Sequence, residues 1–441
     1  MTNRLRLCLR AGSALGLAMM TAATAHAGGF AVREQSAYFQ GMSFAGEAAG
    51  GDLSGMFWNP AVMTQFAGVN SYSSVSGIIP SASHNPSPGS TYFVLGGTSN
   101  TAEQALVPAG YLSYQITPSL WVGLSMNSPF GLSVSFPESW AGRDYAAGDS
   151  FLRTYNFTPS VAWRINDWIS VGAGVQIQYA KATLNHGLSL SFPLVGLIPV
   201  GDANLSGDGW GYGFTAGITL TPTPTTTIGI GYRSFIDQKI DGTLALNLIP
   251  NPFVPSSSNP ASTTVKLPDT VSLGIRQRVD PQLTLLGTVE WTNWSRIGTS
   301  DVSGAFPTTL PFQYQDGWLF ALGAEYQWTD RLTVRGGLAY EISPITDDVR
   351  MPLLPDNDRF WVSVGATWQI WRGFSADLAY SHVFVRDTHI DISAASGNPW
   401  FATSGVTYIG NVDSQVDIIS LGIKYRWDEP KPPARTALIT K

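Results

Sequence analysis

Histidine, carboxylate and hydroxyl side chains are the residue types that could carry catalysis in this 441-residue chain. Four histidines follow the first 27 residues: His84, His186, His382 and His389. No two of them have the spacing of a paired metal site, and the chain has neither a Gly-x-Ser-x-Gly segment nor a phosphate-binding Gly-Lys-Ser/Thr motif. His382 and His389 lie near Asp387 and Asp391, which leaves a metal site as a weak alternative. We expect no catalytic residue, no bound metal and no cofactor.

Two stretches of unusually apolar composition, residues 185–207 and 237–266, are candidates for binding a hydrophobic ligand. Both fall where long connections between strands are expected, and exposed apolar patches on a surface usually mark binding sites. The candidate residues are Leu188, Leu190, Phe192, Leu246, Leu248 and Phe253. The preferred interpretation is one apolar groove formed by both stretches. The alternative is that they form extra strand pairs, because the apolar residues at 188, 190 and 192 also alternate.

The run Asn127-Ser128-Pro129-Phe130-Gly131 interrupts a segment that otherwise has the pattern of a strand. Proline cannot donate a ladder hydrogen bond and glycine weakens pairing, so an interior strand should not contain both. One interpretation is that the strand ends at Asn127. The other is an inward kink, made by Asn127, Pro129 and Gly131, that opens a gap in the wall.

The composition limits which elements can position these residues. Charged residues make up 13% of the chain, about half of the ~25% typical of a soluble domain, whereas aromatic residues make up 12%. This apolar and aromatic content excludes intrinsic disorder. Beyond residue 27 no run approaches the ~20 apolar residues of a membrane-spanning helix. A formal net charge of −6 argues against a nucleic-acid partner.

Residues 1–27 have the three parts of a secretory signal peptide. Three arginines come first (Arg4, Arg6 and Arg10), a mostly apolar stretch follows, and Ala25-His26-Ala27 forms a cleavage site. Cleavage removes three of the 25 basic residues and none of the 31 acidic ones, which leaves a net charge of 22 − 31 = −9. It also removes Cys8, the only cysteine, so we expect an exported chain without disulfide bonds.

From residue 70 onward, large apolar residues alternate with small or polar ones, as in strands with one apolar face. In residues 318–328, for example, Trp318, Phe320 and Leu322 alternate with Ala321 and Gly323. Six tight turns alternate with seven longer connections: 81–104, 132–149, 185–207, 237–266, 296–313, 342–356 and 388–414. Tryptophans near the tight turns are expected to form an aromatic girdle: Trp121, Trp163, Trp168, Trp328, Trp368, Trp371 and Trp427.

Short turns at one end and long connections at the other are typical of barrels in the bacterial outer membrane. The sequence therefore predicts an all-β fold, a 14-stranded antiparallel transmembrane β-barrel over residues 70–427, with residues 428–441 as a C-terminal tail. Closure of the barrel would leave no free backbone groups facing lipid.

Residues 28–69 do not follow the alternation of the strands. They are rich in small residues, and Asn59-Pro60 predicts a helix N-cap with proline at the first helical position. About forty residues without strand pattern are expected to lie inside the polar lumen of the barrel. We therefore predict an N-terminal hatch that includes Glu47, Asn59, Pro60 and Ala61. Charged residues on the inner face of the strands are expected to pair with one another or with the hatch.

Several short motifs follow one another along the chain: Gly29-Phe30, Gly46-Glu47, Asn59-Pro60-Ala61, Pro129-Phe130-Gly131-Leu132, Trp140-Ala141-Gly142-Arg143, Leu267-Pro268-Asp269, Glu290-Trp291-Thr292-Asn293-Trp294-Ser295 and Pro355-Asp356-Asn357-Asp358-Arg359-Phe360-Trp361. Taken in this order, they resemble the FadL-type long-chain fatty-acid and hydrocarbon transporters of the Gram-negative outer membrane. The resemblance extends over essentially the whole chain after residue 27. It implies fourteen strands, an N-terminal hatch, a kinked third strand beside a lateral opening, and a capture site between residues 185–207 and 237–266.

In the fatty-acid transporters of this family, the ligand carboxylate meets a hydroxyl at the kink and two basic side chains. By position, Ser128 matches the hydroxyl, Lys181 matches one base, and Gln315 stands in place of the other base. The expected path of the ligand runs near Phe130 and Ser128. The alternation of its strand would also permit Lys181 to face outward, where its ammonium could pair with lipopolysaccharide phosphate.

These observations predict passive uptake of a hydrophobic small molecule, either a long-chain fatty acid or a hydrocarbon. The ligand would be captured in the apolar groove, enter an internal pocket, and leave sideways at the kink after the hatch moves. Outer-membrane lipid and lipopolysaccharide are the other expected partners, and we expect a monomer. A general diffusion porin is the alternative, against which the hatch argues. An outer-membrane lipase or protease would need a catalytic constellation that the sequence lacks.

Overall fold

The computed structural model describes residues 28–192, 196–249 and 256–427, so the predicted signal peptide and C-terminal tail lie outside the described residues. Within these ranges, twenty strand segments form a single antiparallel sheet. Their bounds are β1 Val69–Pro86, β2 Ala105–Thr117, β3 Leu120–Asn127, β4 Gly131–Phe136, β5 Gly148–Arg164, β6 Ile169–Phe192, β7 Gly196–Thr223, β8 Thr226–Arg233, β9 Ile236–Leu248, β10 Ser257–Leu267, β11 Thr270–Arg278, β12 Leu283–Thr292, β13 Thr299–Gly304, β14 Thr308–Pro311, β15 Gly317–Gln327, β16 Leu332–Ile342, β17 Arg359–Trp371, β18 Phe374–Val385, β19 Thr388–Ile392 and β20 Tyr408–Arg426.

The sheet closes on itself as a barrel because β1 pairs with β20 as well as with β2. Six wall strands are interrupted, namely β3–β4, β8–β9, β10–β11, β12–β13, β14–β15 and β18–β19, so the twenty segments make 20 − 6 = 14 wall strands. The predicted 14-stranded antiparallel barrel is therefore confirmed. Closure gives every wall strand a hydrogen-bonding neighbour on both sides, as a membrane-spanning sheet requires. Among the described residues, no helix has the length and apolar content needed to cross a membrane.

The outer face of the barrel is apolar, as the alternation predicts. Along β15, Leu322 is 73% exposed, whereas Leu319 points inward and is fully buried. Most of the tryptophans near the short turns are exposed, which suits an interfacial girdle. Trp121 is an exception: it faces inward, is fully buried, and donates from Nε1 to the carbonyl of Phe66 at 2.8 Å. Its place in the predicted girdle was wrong because odd-numbered residues of β3, such as Gly123 against Met63, face the lumen.

The connections predicted over residues 185–207 and 237–266 are extended hairpins rather than loops. β6 and β7 stay paired as far as Phe192 and Gly196, and β9 pairs with β10 over residues 236–246. The two hairpins are also joined, because residues 201–208 of β7 pair with residues 241–248 of β9. The interpretation as extra strand pairs is the correct one. Pairing satisfies the backbone hydrogen bonds that a long loop would leave to water.

The segment before β1 contains short helices only. They are α1 (Ala37–Gln40) and the 3₁₀ helices Glu47–Ala49, Leu53–Phe57 and Pro60–Gln65; 3₁₀ helices Phe93–Leu95 and Trp294–Ile297 and helix α2 (Phe401–Ser404) occur later. Asn59 caps the third 3₁₀ helix by accepting from the Ala61 amide at 3.0 Å, with Pro60 at the first helical position. The predicted cap is present, on a 3₁₀ helix.

Residues 28–68, here called the N-terminal segment, lie inside the barrel. All residues from 28 to 64 except Ala31, Arg33 and Gly51 are buried. Wall glycines permit backbone-to-backbone contact: a Cβ at Gly229 would lie 1.8 Å from the carbonyl oxygen of Ala48, and one at Gly337 would lie 2.2 Å from that of Met42. Since β8 and β16 are separated by several strands, the segment contacts well-separated parts of the wall.

Ion pairs fix the N-terminal segment to the inner wall. Asp52 accepts from Lys424 Nζ at 2.6 Å, and Arg33 Nε lies 3.2 Å from Glu341 Oε1. The amide of Gly28 donates to the same Glu341 oxygen at 3.1 Å. Charges on the inner face thus pair with the segment, which compensates the cost of burying them.

Candidate hydrophobic ligand site

An apolar cavity, here called the upper cavity, lies at the end of the barrel that carries the long connections. It holds about 1080 Å³ of empty space, part of it open to solvent. Strands β4, β6, β7, β9 and β10 supply inward-facing side chains, and the connections around residues 310–314, 351–354 and 400 close it from the other side. Its lining includes Leu132, Leu184, Leu205, Ile240, Phe312 and Trp400. A concave site with this apolar lining suits a hydrophobic ligand.

A second cavity, here called the lower cavity, lies deeper in the lumen and is more polar. It holds about 750 Å³ of empty space, and its lining combines charged residues with apolar ones. The charged lining residues are Arg33, Arg233, Glu290 and Glu341. Arg33 pairs with both carboxylates, Glu290 and Glu341.

Three aromatic rings stand between the two cavities. Phe30 of the N-terminal segment lines the upper cavity, whereas Phe130 and Trp294 line the lower one. The Phe30 ring centroid lies 4.8 Å from that of Trp294 and 6.1 Å from that of Phe130, both in edge-to-face geometry. Edge-to-face contacts of this kind are stabilising beyond simple burial. We call Phe30, Phe130 and Trp294 the aromatic cluster.

The third wall strand is interrupted between β3 and β4, and the N-terminal segment pairs with the interruption. Against β5, Asn127 is opposite Asn156 and Gly131 is opposite Arg153, so four residue steps face three. One extra residue bends a strand in the manner of a β-bulge. Residues 30–32 then act as a short added strand: the Val32 amide donates to Pro129 O at 2.8 Å and the Gly131 amide to Phe30 O at 2.9 Å.

The same interruption leaves a gap in the ladder between the second and third wall strands. The β2–β3 ladder ends at the pair Gly110–Met126, and beyond it β2 pairs with β1 only. A single bridge between Ala102 and Val134 resumes contact further along. Within the described residues, no ladder joins residues 105–109 to residues 127–131. Pro129, at the centre of this gap, also lines the lower cavity.

Asn127 and Ser128 hold the N-terminal segment instead of lining a cavity. Asn127 Nδ2 donates to Gln35 Oε1 at 3.1 Å and to Tyr111 Oη at 2.8 Å. Ser128 is buried, and its carbonyl accepts from Gln35 Nε2 at 2.9 Å. The hydroxyl of Ser128 lines neither cavity, so the geometry does not place it on a ligand.

The two polar positions assigned to ligand binding through the resemblance also lie outside both cavities. Lys181 is exposed on the outer face, because its neighbours Ala180 and Ala182 point inward and the register of β6 is regular there. Gln315 is exposed, and its amide donates to the carbonyl of Pro344 at 2.9 Å. The next residue back, Tyr314, is the one that lines the upper cavity. Neither Lys181 nor Gln315 lines either cavity, so the structure does not bring them to the ligand position that the resemblance implies.

The predicted apolar capture residues are dispersed over the extended hairpins. Leu188 and Leu246 pack against a small cluster that includes Leu244 and Val302, whereas Leu190 is exposed. Leu248 is half-buried and pairs with Gly201. The Phe192 side chain and Phe253 lie outside the described residues. None of the described four lines the upper cavity, whose hairpin residues are deeper ones such as Leu205 and Ile240.

Several lining residues come from connections that sequence reasoning treated only as loops. Phe312, Tyr314, Leu353, Leu354 and Trp400 are examples. The signal that could have found them is the apolar content of Leu310-Pro311-Phe312 and Met351-Pro352-Leu353-Leu354 within long connections. The residues predicted to belong to a hatch, Glu47, Asn59, Pro60 and Ala61, are all buried in the N-terminal segment.

Two carboxyl groups of the N-terminal segment are buried in the lumen with altered acidity. Burial raises the pKa of Glu34 to about 7, and the nearby Glu341 carboxylate acts in the same direction. Burial, followed by the proximity of Glu290, raises the pKa of Glu47 well above its usual value. Desolvation favours the neutral carboxyl form in both cases.

A closed fourteen-strand barrel with an apolar outer face has the architecture of a protein of the bacterial outer membrane. Residues 18–427 match the model of the family described as outer membrane protein transport protein (OMPP1/FadL/TodX), and the chain belongs to this family. The family resemblance, the outer-membrane location and the non-enzymatic nature inferred from the sequence are thereby confirmed.

Individual relatives agree with this assignment. The chain is 29% identical over 407 residues to the long-chain fatty acid transport protein of Escherichia coli O6:H1, covering 84% of this chain and 90% of the relative. It superimposes on the crystal structure of a Pseudomonas aeruginosa FadL homologue with a TM-score of 0.79 at 25% identity, covering 90% of this chain and 99% of the homologue. The Pseudomonas putida toluene transporter TodX has the same fold, with a TM-score of 0.67 at 14% identity, 89% coverage of this chain and 98% of TodX.

Proposed function

We propose that this protein carries long-chain fatty acids or hydrocarbons through the upper cavity, past the aromatic cluster, and sideways out of the wall at Pro129. The single observation that carries the proposal is the position of the cavities. The upper cavity is apolar and lies at the end with the long connections, and the lower cavity borders the ladder gap. A hydrophobic ligand could thus pass between them without crossing the periplasmic end of the barrel.

The hydrophobic effect supplies enough free energy for such a route without an energy source. Transfer of each methylene from water to an apolar site contributes about 0.8 kcal/mol, so a sixteen-carbon chain gains about 12 kcal/mol. A water-filled channel offers none of this gain. The apolar lining of the upper cavity therefore favours a hydrophobic ligand over an ion or a sugar.

The N-terminal segment acts in this proposal as the hatch. Because it fills the lumen from Gly28 to Phe66, a straight passage along the barrel axis is closed. Its residues 30–32 pair with the kink, and Phe30 separates the two cavities. Displacement of Phe30 alone would join the upper cavity to the lower one, which is a smaller change than release of the whole segment.

The names of relatives suggest which ligands to test first. One relative is a long-chain fatty acid transport protein and another with the same fold is a toluene transporter. Uptake of labelled hexadecanoate, hexadecane and toluene should therefore be compared in a Gram-negative strain that lacks its own transporter of this family, with and without this protein. Uptake of at least one of the three should rise. Equal uptake of all three in both strains would reject the proposal.

The lateral exit has its own test in the extra residue of the third wall strand. Deletion of Pro129 removes the extra residue of the third wall strand, so that Asn127 to Gly131 matches the three residue steps of β5 opposite. The β2–β3 ladder can then continue, and we expect uptake to fall to near background. Pro129→Ala is the matched control, because it keeps the extra residue and should retain most of the uptake. Heat-modifiable migration on gels would verify that both variants fold. Wild-type uptake by the deletion variant would contradict a lateral exit at this place.

A further inference from the structure

The guanidinium of Arg233 is a buried cation in the lower cavity. Arg233 is the last residue of β8, immediately before the break that separates β8 from β9. It is 8% exposed and lines the lower cavity together with Gln176 and Ser234. Its Nη1 donates to the carbonyl of Phe57 at 2.9 Å and its Nη2 donates to Gln176 Oε1. The guanidinium also stacks over the Phe57 ring, 4.1 Å from the centroid.

In the part of the chain that the structure describes, Arg233 has no anionic partner, unlike Arg33, Arg276, Arg335 and Lys424 of the inner wall. Arg33, in the same cavity, pairs with Glu290 and Glu341, and Lys424 pairs with Asp52 and Asp377. Within the described residues, no carboxylate lies within ion-pair distance of Arg233. A buried charge is costly without a counter-charge. A guanidinium has five N–H donors, and the two bonds above use only two of them.

We infer that the lower cavity is a binding site for the carboxylate of an amphiphilic ligand, and that Arg233 is the residue that selects it. A carboxylate is the anion whose two oxygens match the planar fork of a guanidinium. Gln176 lies beside it in the lining; its Nε2 donates one N–H to the Phe214 carbonyl at 2.8 Å, which leaves a second N–H for a ligand. The inference rests on the proposed function and narrows its ligand to a long-chain carboxylate.

The distances along the wall suit such a ligand. The wall strand that carries Arg233 continues through Ile236 in the lower cavity to Ile240 in the upper one. Seven residues at about 3.3 Å each span at most roughly 23 Å, less the shortening at the break, which is comparable to an extended long acyl chain. Pro129 and Phe130 line the cavity that contains Arg233, so a bound carboxylate would lie next to the ladder gap.

The resemblance implies two basic residues that meet the ligand carboxylate, at positions 181 and 315. Neither position supplies a cation in the lumen of this chain, whereas Arg233 does. Lys181 faces outward and position 315 is an exposed glutamine. Arg233 is on a different wall strand from both, and it is held in the lumen by Phe57 of the N-terminal segment. A head group on Arg233 would therefore sit directly against the hatch.

The test compares an acid with uncharged molecules of the same chain length. Purified protein is titrated with hexadecanoate, hexadecanol and hexadecane, and uptake of hexadecanoate and hexadecane is measured in cells. Arg233→Met should weaken hexadecanoate binding by roughly tenfold or more, as expected for loss of a charge-assisted bidentate pair, and leave the two uncharged ligands unchanged. Arg233→Lys should restore part of the affinity for the acid.

Arg164→Met is the matched control. Arg164 also donates to a carbonyl of the N-terminal segment, that of Thr64, and lies over an aromatic ring, Trp121, but it lines neither cavity. This variant should not discriminate the acid from the alcohol. An equal loss for all ligands in Arg233→Met would assign a purely positioning role and overturn the inference, as would an unchanged affinity for the acid. If cells with the wild-type protein take up hexadecane but not hexadecanoate, the inferred carboxylate site is wrong, whereas the proposed function is still supported.

Discussion

At the scale of single residues, Phe30 has contacts that no other residue of the N-terminal segment combines. Its ring belongs to the upper cavity, its edge-to-face partners belong to the lower one, and its carbonyl accepts from Gly131 at the kink. The sequence could indicate the motif Gly29-Phe30 but not this position, because the three rings come from residues 30, 130 and 294 and meet only in the closed barrel. Trp294 is likewise a residue whose place follows from the fold and not from local pattern.

Removal of the Phe30 ring should join the two cavities. We expect Phe30→Ala to raise the rate of hydrophobic uptake and to leave the ionic conductance low, because the remainder of the N-terminal segment still fills the lumen. Uptake of labelled ligand and single-channel recording measure the two effects. Phe93→Ala, at an exposed phenylalanine away from both cavities, is the control. A large steady ionic current in Phe30→Ala would contradict the expected separation of the two paths.

We expect the packing of the N-terminal segment to depend on pH through Glu34. Its pKa is raised by burial from 4.5 to about 7, so the packed state holds a proton that the released state loses. The resulting stabilisation is complete below pH 4.5, declines as the pH rises, and is lost above about pH 7. The total is about 3 kcal/mol at about 1.4 kcal/mol per pH unit.

Conductance events that report release of the segment should therefore be more frequent at pH 8 than at pH 5. Glu34→Gln removes the titrating group and should give a flatter pH profile, with any residual slope due to Glu47, whose pKa is also raised by burial. The measurement is single-channel recording across this range. An identical profile for wild type and Glu34→Gln would show that Glu34 does not control the segment.

At the scale of elements, the wall strands were predictable and the connections were not. Alternation places Leu319 inside and Leu322 outside along β15, and the same rule correctly permits Lys181 to face outward. The hairpin between β6 and β7 was ambiguous, because apolar alternation at 188–192 suits both a strand and an apolar loop. Cavity residues such as Trp400 depend on how a connection folds back over the barrel, which no local period encodes.

Glycines of the inner wall leave room for the backbone of the N-terminal segment. Two adjacent glycines of β16 allow this close contact to be tested. A side chain at Gly337 would collide with the Met42 backbone, whereas one at Gly336 would meet only a carbonyl at 3.8 Å. We expect Gly337→Val to displace the segment, raising ionic conductance and lowering the temperature of heat modification. Gly336→Val should change neither property. Equal behaviour of the two variants would contradict the close approach at Gly337.

At the scale of the whole molecule, charged side chains of the inner wall pair with one another and with the N-terminal segment. Asp52 with Lys424 of β20 and Arg33 with Glu341 of β16 join the segment to two wall strands that are separated by β17 and β18. The composition agrees with this arrangement, because only 13% of the residues are charged and few charged side chains are therefore left to face solvent. The individual partners could not be predicted, because pairing across a lumen depends on the register of all fourteen strands.

The N-terminal segment joins the wall covalently at one place, Val69, where β1 begins alongside the end of β20. Everything else that holds it is a hydrogen bond, an ion pair or a packing contact. A protease site engineered at Gly68 would consequently turn one polypeptide into a two-component complex. The liberated peptide and the emptied cylinder could then be titrated against each other as an inhibitor is against its receptor, which makes the strength of closure a measurable dissociation constant.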